Sequence, residues 1–267
     1  MVTVRKQDNL QNGKIPILPA VLTGASMMHA TFMFLQTQVP SWNAAEEFCL
    51  HATEDCLRPD LMAFQCISGM VFMVCTILGI YAWYGTRSCH LSSQRLFAQL
   101  PVAQWLTLWN LTYQIWDFGI SFVIPEFTQP ILLAHHAAAA TVAYAALRYN
   151  MLGYYAIFFM GLSEISSVFL VVIDLGRYIP PESGTYYDML VHQVCAPLFV
   201  VTFFYYRVIL WWYPITVNLL KDVSDGLKKS KSPHWVMYLL LLLDIPMGFL
   251  QLYWMALIVQ TLQSQMS

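Results

Sequence analysis

Seven stretches of the chain are apolar enough to suit the hydrocarbon core of a bilayer, and polar segments separate them. A helix needs about 20 residues to cross that core. The stretches are 16–37, 61–84, 100–124, 130–147, 152–174, 189–213 and 236–262. The first carries Gly24, Ser26 and His29. The fourth is short and alanine-rich (AHHAAAATVAYAAL), so neighbouring helices can approach it closely. Pro125 and Pro130 predict a tight turn between the third and fourth, and Pro246 and Gly248 interrupt the last. Between the first and second, Trp42, Ala45, Cys49, Ala52 and Cys56 recur at helical spacing. Glu46, Glu47, Glu54 and Asp55 fall largely elsewhere on that helix. This pattern predicts a short amphipathic helix lying on the membrane. Neither an internal repeat nor a low-complexity tract is present.

Composition agrees with lipid as the solvent. Of 267 residues, 58% are hydrophobic and 10% are charged, against about 25% charged in a soluble domain. A water-facing surface cannot be built from so few charges. Aromatics reach 15%, which suits interfacial belts of Trp and Tyr. A net charge of -2 gives no reason to expect nucleic acid as a partner.

The basic residues are distributed unevenly. Arg5, Lys6, Lys14, Arg87, Arg95, Arg148, Lys221, Lys228, Lys229 and Lys231 fall on one side, with Arg207 inside the sixth stretch near it. Only Arg58 and Arg177 fall on the other. Positive-inside then predicts a cytosolic N-terminus and a C-terminus outside or in the lumen. The first apolar stretch is expected to act as an uncleaved anchor. Of the six cysteines, Cys49 and Cys56 share a polar loop, where a disulfide and two packing thiols are both open readings. No CxxC pair points to zinc.

Ionisable groups inside membrane helices are costly and therefore mark candidate sites. Asp117 lies late in the third stretch, and His135 and His136 early in the fourth, just across the Pro125–Pro130 turn. Antiparallel neighbours place all three at similar depth. Glu164 is expected near mid-membrane, with Asp174 and His192 toward the histidine end. Tyr113 and Asp117 share a helix face. Glu164, Ser167, Val171 and Asp174 form a stripe. His135 and His136 point about 100° apart, so only one faces the interior squarely. Such a set permits proton transfer or acyl transfer. The competing reading is hydrogen-bonded glue between helices. Asp174 and His192 read as interface-solvated groups, His29 and Asp244 as packing or interface groups, and Arg207 as a snorkelling or topogenic residue. One His-His pair is too few for a di-iron centre or a zinc hydrolase, so neither metal nor cofactor is expected.

Asp117 ahead of the His135-His136 pair, the segment Gly-Leu-Ser-Glu-Ile-Ser-Ser-Val-Phe at 161–169, and Arg207 in FFYYR before Pro214 together resemble the TLC-domain family. That family includes ceramide synthases, translocon-associated TRAM proteins and smaller proteins linked to membrane lipid composition. The resemblance implies a six-helix barrel over about 61–262 with one further N-terminal helix, preceded by a tail and amphipathic loop within 1–60 and followed by a short tail at 263–267. In ceramide synthases the paired histidines transfer an acyl chain from acyl-CoA to a sphingoid amine. His135 and His136 match them. Glu164 sits where that subfamily has the first Asp of a second motif, and Ser167 replaces the second. Ala137–Ala140 fill the stretch where a Thr follows the histidines, and no homeobox-like domain is present. These departures favour the smaller TLC-domain proteins.

The expected function is therefore lipid metabolism or membrane-lipid homeostasis, with a lipid or acyl chain bound in the helix barrel. The alternative is an acyl-CoA-dependent acyltransferase acting on a lipid amine or hydroxyl. In it, His135 or His136 is base or acyl carrier, Asp117 orients the pair and Glu164 assists. Membrane lipids, and acyl-CoA as co-substrate, are the expected partners; no oligomeric state follows. The resemblance implies the endoplasmic reticulum, with the plasma membrane as second choice. It also implies a histidine end facing cytosolic acyl-CoA, whereas the Lys/Arg count puts that end nearer the lumen. A seven-helix receptor is disfavoured by the predicted N-terminal side. A retinal protein is disfavoured because 236–262 has no lysine for a Schiff base. A transporter is disfavoured because no matching broken helices occur in two halves.

Overall fold

A computed structural model describes residues 16–38, 58–86, 91–98, 100–179, 182–229 and 234–266. The expected amphipathic helix, with Cys49 and Cys56, falls within 39–57 and so lies outside the described residues. Everything described is helix or connection, with no strand. The protein is an all-α, multi-pass membrane protein.

The helices are α1 (Ile17–Gln38), α2 (Pro59–Gly85), α3 (Ser92–Phe97), α4 (Pro101–Ile120), α5 (Pro130–Tyr149), α6 (Gly153–Phe159) and α7 (Ile165–Tyr178). A long span then runs through two wider-wound π segments, Met189–Cys195 and Phe203–Thr216, separated by α8 (Ala196–Thr202). It continues into α9 (Val217–Lys229), and α10 (His234–Met266) completes the bundle. Prolines at the first turn open α2, α4 and α5, where a missing N–H costs nothing. The Pro125–Pro130 turn is a short 3-10 segment, Pro125–Phe127, that reverses the chain between α4 and α5. By contrast α10 runs unbroken through Pro246 and Gly248, so the interruption expected there is absent. Gly248 instead permits close approach: a Cβ there would lie 2.9 Å from the Trp212 ring.

Six of the predicted stretches are helices long and apolar enough to cross a membrane. The seventh, α4, has the length: 20 residues rise about 30 Å. It falls short on apolarity because it carries Gln104, Thr107, Asn110, Thr112, Gln114 and Asp117. It is nonetheless among the most enclosed helices, packed against α1, α2, α5 and α6. Asn110, Gln114 and Asp117 are 3–5% exposed. In lipid the polar helix belongs inside, because hydrocarbon rather than water lies outside.

The helices close into a ring. α2 touches α4, α4 touches α5, and α5 touches α10. α10 touches the Phe203–Thr216 segment, α8 touches α7, and α7 returns to α2. α1 lies outside the ring against α2 and α4. The predicted barrel with one added helix is thus the observed arrangement. Between α6 and α7 the span breaks at Met160–Gly161. There it crosses α2 so closely that a Cβ on Gly79 would sit 2.6 Å from Gly161 Cα. Only small residues permit such a crossing.

An ion-paired cluster stands at each end of the bundle. Arg95 on α3 clamps Asp222 on α9 through Nη2 (2.6 Å) and Nε (2.7 Å), and the Tyr155 hydroxyl donates to the same carboxylate. The hydrogen bond to Asp222 holds the Arg95 guanidinium above its already high pKa. At the other end Arg58 pairs with Asp60 and Glu126, and its hydrogen bond holds the Glu126 carboxyl below its ordinary value. The long span is broken at Tyr213, whose φ of -136° and ψ of 118° interrupt the helix before Pro214. Beyond the break α9 is amphipathic, burying Leu219 and Val223 and exposing Lys221 and Lys228.

Candidate functional site

The α4–α5 hairpin brings Asp117 and His136 together, as antiparallel packing of the two helices predicts. His136 Nδ1 lies 2.8 Å from Gln114 Oε1 and 3.4 Å from Asp117 Oδ2. Both partners are buried, and two acceptors at one ring nitrogen favour the tautomer protonated there. The adjacent His135 turns another way. Its ring stands edge-on to Trp254 of α10 at 5.2 Å and to His136 at 5.3 Å, and its Nδ1 is buried with no partner among the described residues. The 100° between successive helical residues has therefore separated the pair, His136 tied to α4 and His135 facing the ring interior.

Inside the ring is a cavity of about 70 Å³. His135, Asn110, Gln114, Ser163, Glu164, Arg207, Trp211, Asp244 and Gln251 supply its polar groups. Ala138, Ala139, Val142, Phe159, Met160, Leu240, Leu243 and Met247 are among its apolar walls. The small alanines of α5 leave this space open. Asp117 is not in the lining. Its contact His136 is bonded to Gln114, which is in the lining.

A second polar cluster forms one wall. Arg207 is 7% exposed and Glu164 8%. Arg207 Nη2 donates to Glu164 Oε2 at 3.1 Å and to Ser167 Oγ at 2.8 Å. Nε donates to the Ser163 carbonyl and Ser166 Oγ, both at 3.0 Å, and Nη1 to Gln251 Oε1 at 3.4 Å. Ser167 Oγ also donates to Glu164 Oε2 at 2.7 Å. The planar guanidinium fork is thus used on every side. The break at Gly161 delivers Ser163, Glu164, Ser166 and Ser167 to it in one turn.

A family model, the TLC domain of TRAM, LAG1 and CLN8, matches residues 62–260. The chain belongs to the TLC-domain family. No curated protein and no solved structure matches it. The match covers every residue of the ring interior and leaves α1 outside.

Of the four residues proposed as catalytic in the TLC-domain protein, His135 and Glu164 line the cavity, while Asp117 and His136 form the pair behind it. Arg207 departs from expectation. It is buried and ion-paired to Glu164 rather than snorkelling. Asp244, read as a packing or interface group, is buried at 7% exposure, lines the cavity and accepts from Thr216 Oγ1 at 2.9 Å through Oδ2. Asp174 and His192 lie outside the cavity lining. Asp174 accepts from Gln65 at 3.1 Å and lies 3.5 Å from Arg177, and exposed His192 lies 3.6 Å from Asp188. His29 stacks on Phe32. Sequence reasoning missed Asn110, Gln114 and Gln251, whose signal was available: amides amid apolar helices need partners as charges do.

Proposed function

We propose that this TLC-domain protein binds the polar end of a lipid or acyl chain in the ring cavity and serves lipid metabolism or membrane-lipid homeostasis, with the endoplasmic reticulum as its site of action. The supporting observation is the cavity itself, with ionisable and amide groups and apolar walls meeting at one interior point. Its size limits what enters. At about 10–15 Å³ per water on this measure, about 70 Å³ has room for a head group or a short chain segment. The tail of a lipid must leave between helices into the bilayer. A photoreactive acyl lipid tests this. Crosslinks at Met160 or Met247 support the reading, whereas labelling confined to lipid-facing residues such as Leu242 overturns it.

The acyltransferase reading keeps one specific support: His135 presents an unpartnered ring nitrogen to the cavity, and His136 beside it is held by a carboxylate and an amide. In that reading His135 is the base toward a lipid amine or hydroxyl, or carries the acyl group. His136 and Asp117 orient it, Glu164 and Arg207 shape the wall, and acyl-CoA is the co-substrate. Whole-lipid mass spectrometry of a host expressing wild type or His135→Ala/His136→Ala separates the readings. Loss of a wild-type change in one acyl-lipid class, at equal expression, supports transfer. An equal shift from both proteins excludes it.

A further inference from the structure

Four buried polar atoms around the cavity have no partner among the described residues: Asp244 Oδ1, Gln251 Nε2, His135 Nδ1 and Trp211 Nε1. Native structures satisfy nearly all such atoms, so several converging on one space point to a polar occupant. Their chemistry specifies it. Gln251 turns its oxygen to Arg207 and so turns its NH₂ away, which makes it a donor, as is the Trp211 indole. Asp244 Oδ1 is an acceptor. Asp244 and Gln251 are seven residues apart on α10, on one face and about 10 Å apart along the helix axis.

Asp244 is the decisive group. It is 7% exposed within a membrane-spanning helix. Its one hydrogen bond among the described residues comes from a neutral hydroxyl, that of Thr216. It has no ion pair there: Arg207, the buried arginine of the cavity wall, is committed to Glu164. A buried carboxylate is costly unless a cation meets it. Resting on the lipid-binding reading above, we infer that Asp244 recognises the head of the bound lipid, and that this head is a cationic amine. The ammonium donates to Asp244 Oδ1, and an acceptor further along the molecule takes the Gln251 amide. Asp244 is then a specificity-determining residue, with a role separate from that of the histidine pair.

The test is binding of octadecylamine, octadecanol and N-octadecylacetamide to the full chain in phosphatidylcholine nanodiscs, with empty nanodiscs as background. A hydrogen bond to a charged donor outweighs a neutral one by about tenfold in affinity. Wild type is therefore expected to prefer the amine over both neutral probes by about that factor, and Asp244→Asn to bind all three within about twofold. Equal binding of the three probes by wild type overturns the inference while leaving the cavity a lipid site. Binding of none above background overturns both. The wild-type comparison stands even where the variant fails to fold, and an amine preference retained by folded Asp244→Asn also overturns the inference.

Discussion

The two polar clusters on the cavity wall differ in completeness. Around Arg207, each guanidinium nitrogen has a partner, and Ser163, Glu164, Ser166, Ser167 and Gln251 all turn toward it. Around Asp244 and His135, one atom of each side chain is bound to nothing among the described residues. Gln251 belongs to both clusters, its oxygen satisfied and its nitrogen not. A saturated network holds helices together, because each member already has its best partner. An unsaturated one at the same depth costs free energy until something enters. Completeness of hydrogen bonding, rather than charge alone, is what differs between the two clusters.

The contrast is broken most severely at Arg207. Arg207→Ala leaves Glu164 buried and unpaired, and the expected loss is about 3–5 kcal/mol, read as thermal unfolding in detergent micelles. Replacing both members with apolar residues is expected to recover most of that loss, since the pair's desolvation disappears with it. Next is the crossing that delivers Glu164. Gly79→Val places side-chain atoms on Gly161, and overpacking of this kind costs about 1–3 kcal/mol. Asp244→Asn sharpens the contrast from the other side. The amide oxygen still accepts from Thr216, so the expected change is under about 1 kcal/mol, while the preference for an amine probe disappears.

The smallest effect lies at the exposed end of the bundle. Arg58 holds the Glu126 carboxyl below its ordinary value. A depressed carboxyl stabilises the fold above its unfolded pKa of about 4.3, and that contribution is lost as pH falls through the lower folded value. Both groups are partly exposed, so Arg58→Ala is expected to cost under about 1 kcal/mol at neutral pH. Unfolding temperatures of wild type and variant should converge as the pH drops below that of carboxylate titration.

Much of this architecture was legible in the sequence, because apolar length alone marks helices that cross lipid. The Asp117–His136 contact was legible as well: a short proline turn fixes which ends of two helices are level. The Arg207–Glu164 pair was not, because 43 residues separate its members and a single arginine near a helix end reads as snorkelling. The place of Asp244 in the cavity lining was not legible either, since sidedness within a long apolar helix depends on neighbours that sequence spacing does not supply. The pattern of α4 carried more than hydropathy extracted from it. A helix with six polar side chains among more apolar ones turns that face away from lipid, and its amides Asn110 and Gln114 mark the ring interior.

The most direct measurement is native mass spectrometry of the intact protein released from mild detergent, comparing wild type with Ala139→Phe, which puts a bulky side chain on the cavity wall. The expected result is a bound lipid on wild type that Ala139→Phe lacks, at similar unfolding temperatures. Equal lipid occupancy in the two proteins would contradict a ligand seated at the unsatisfied half of the ring.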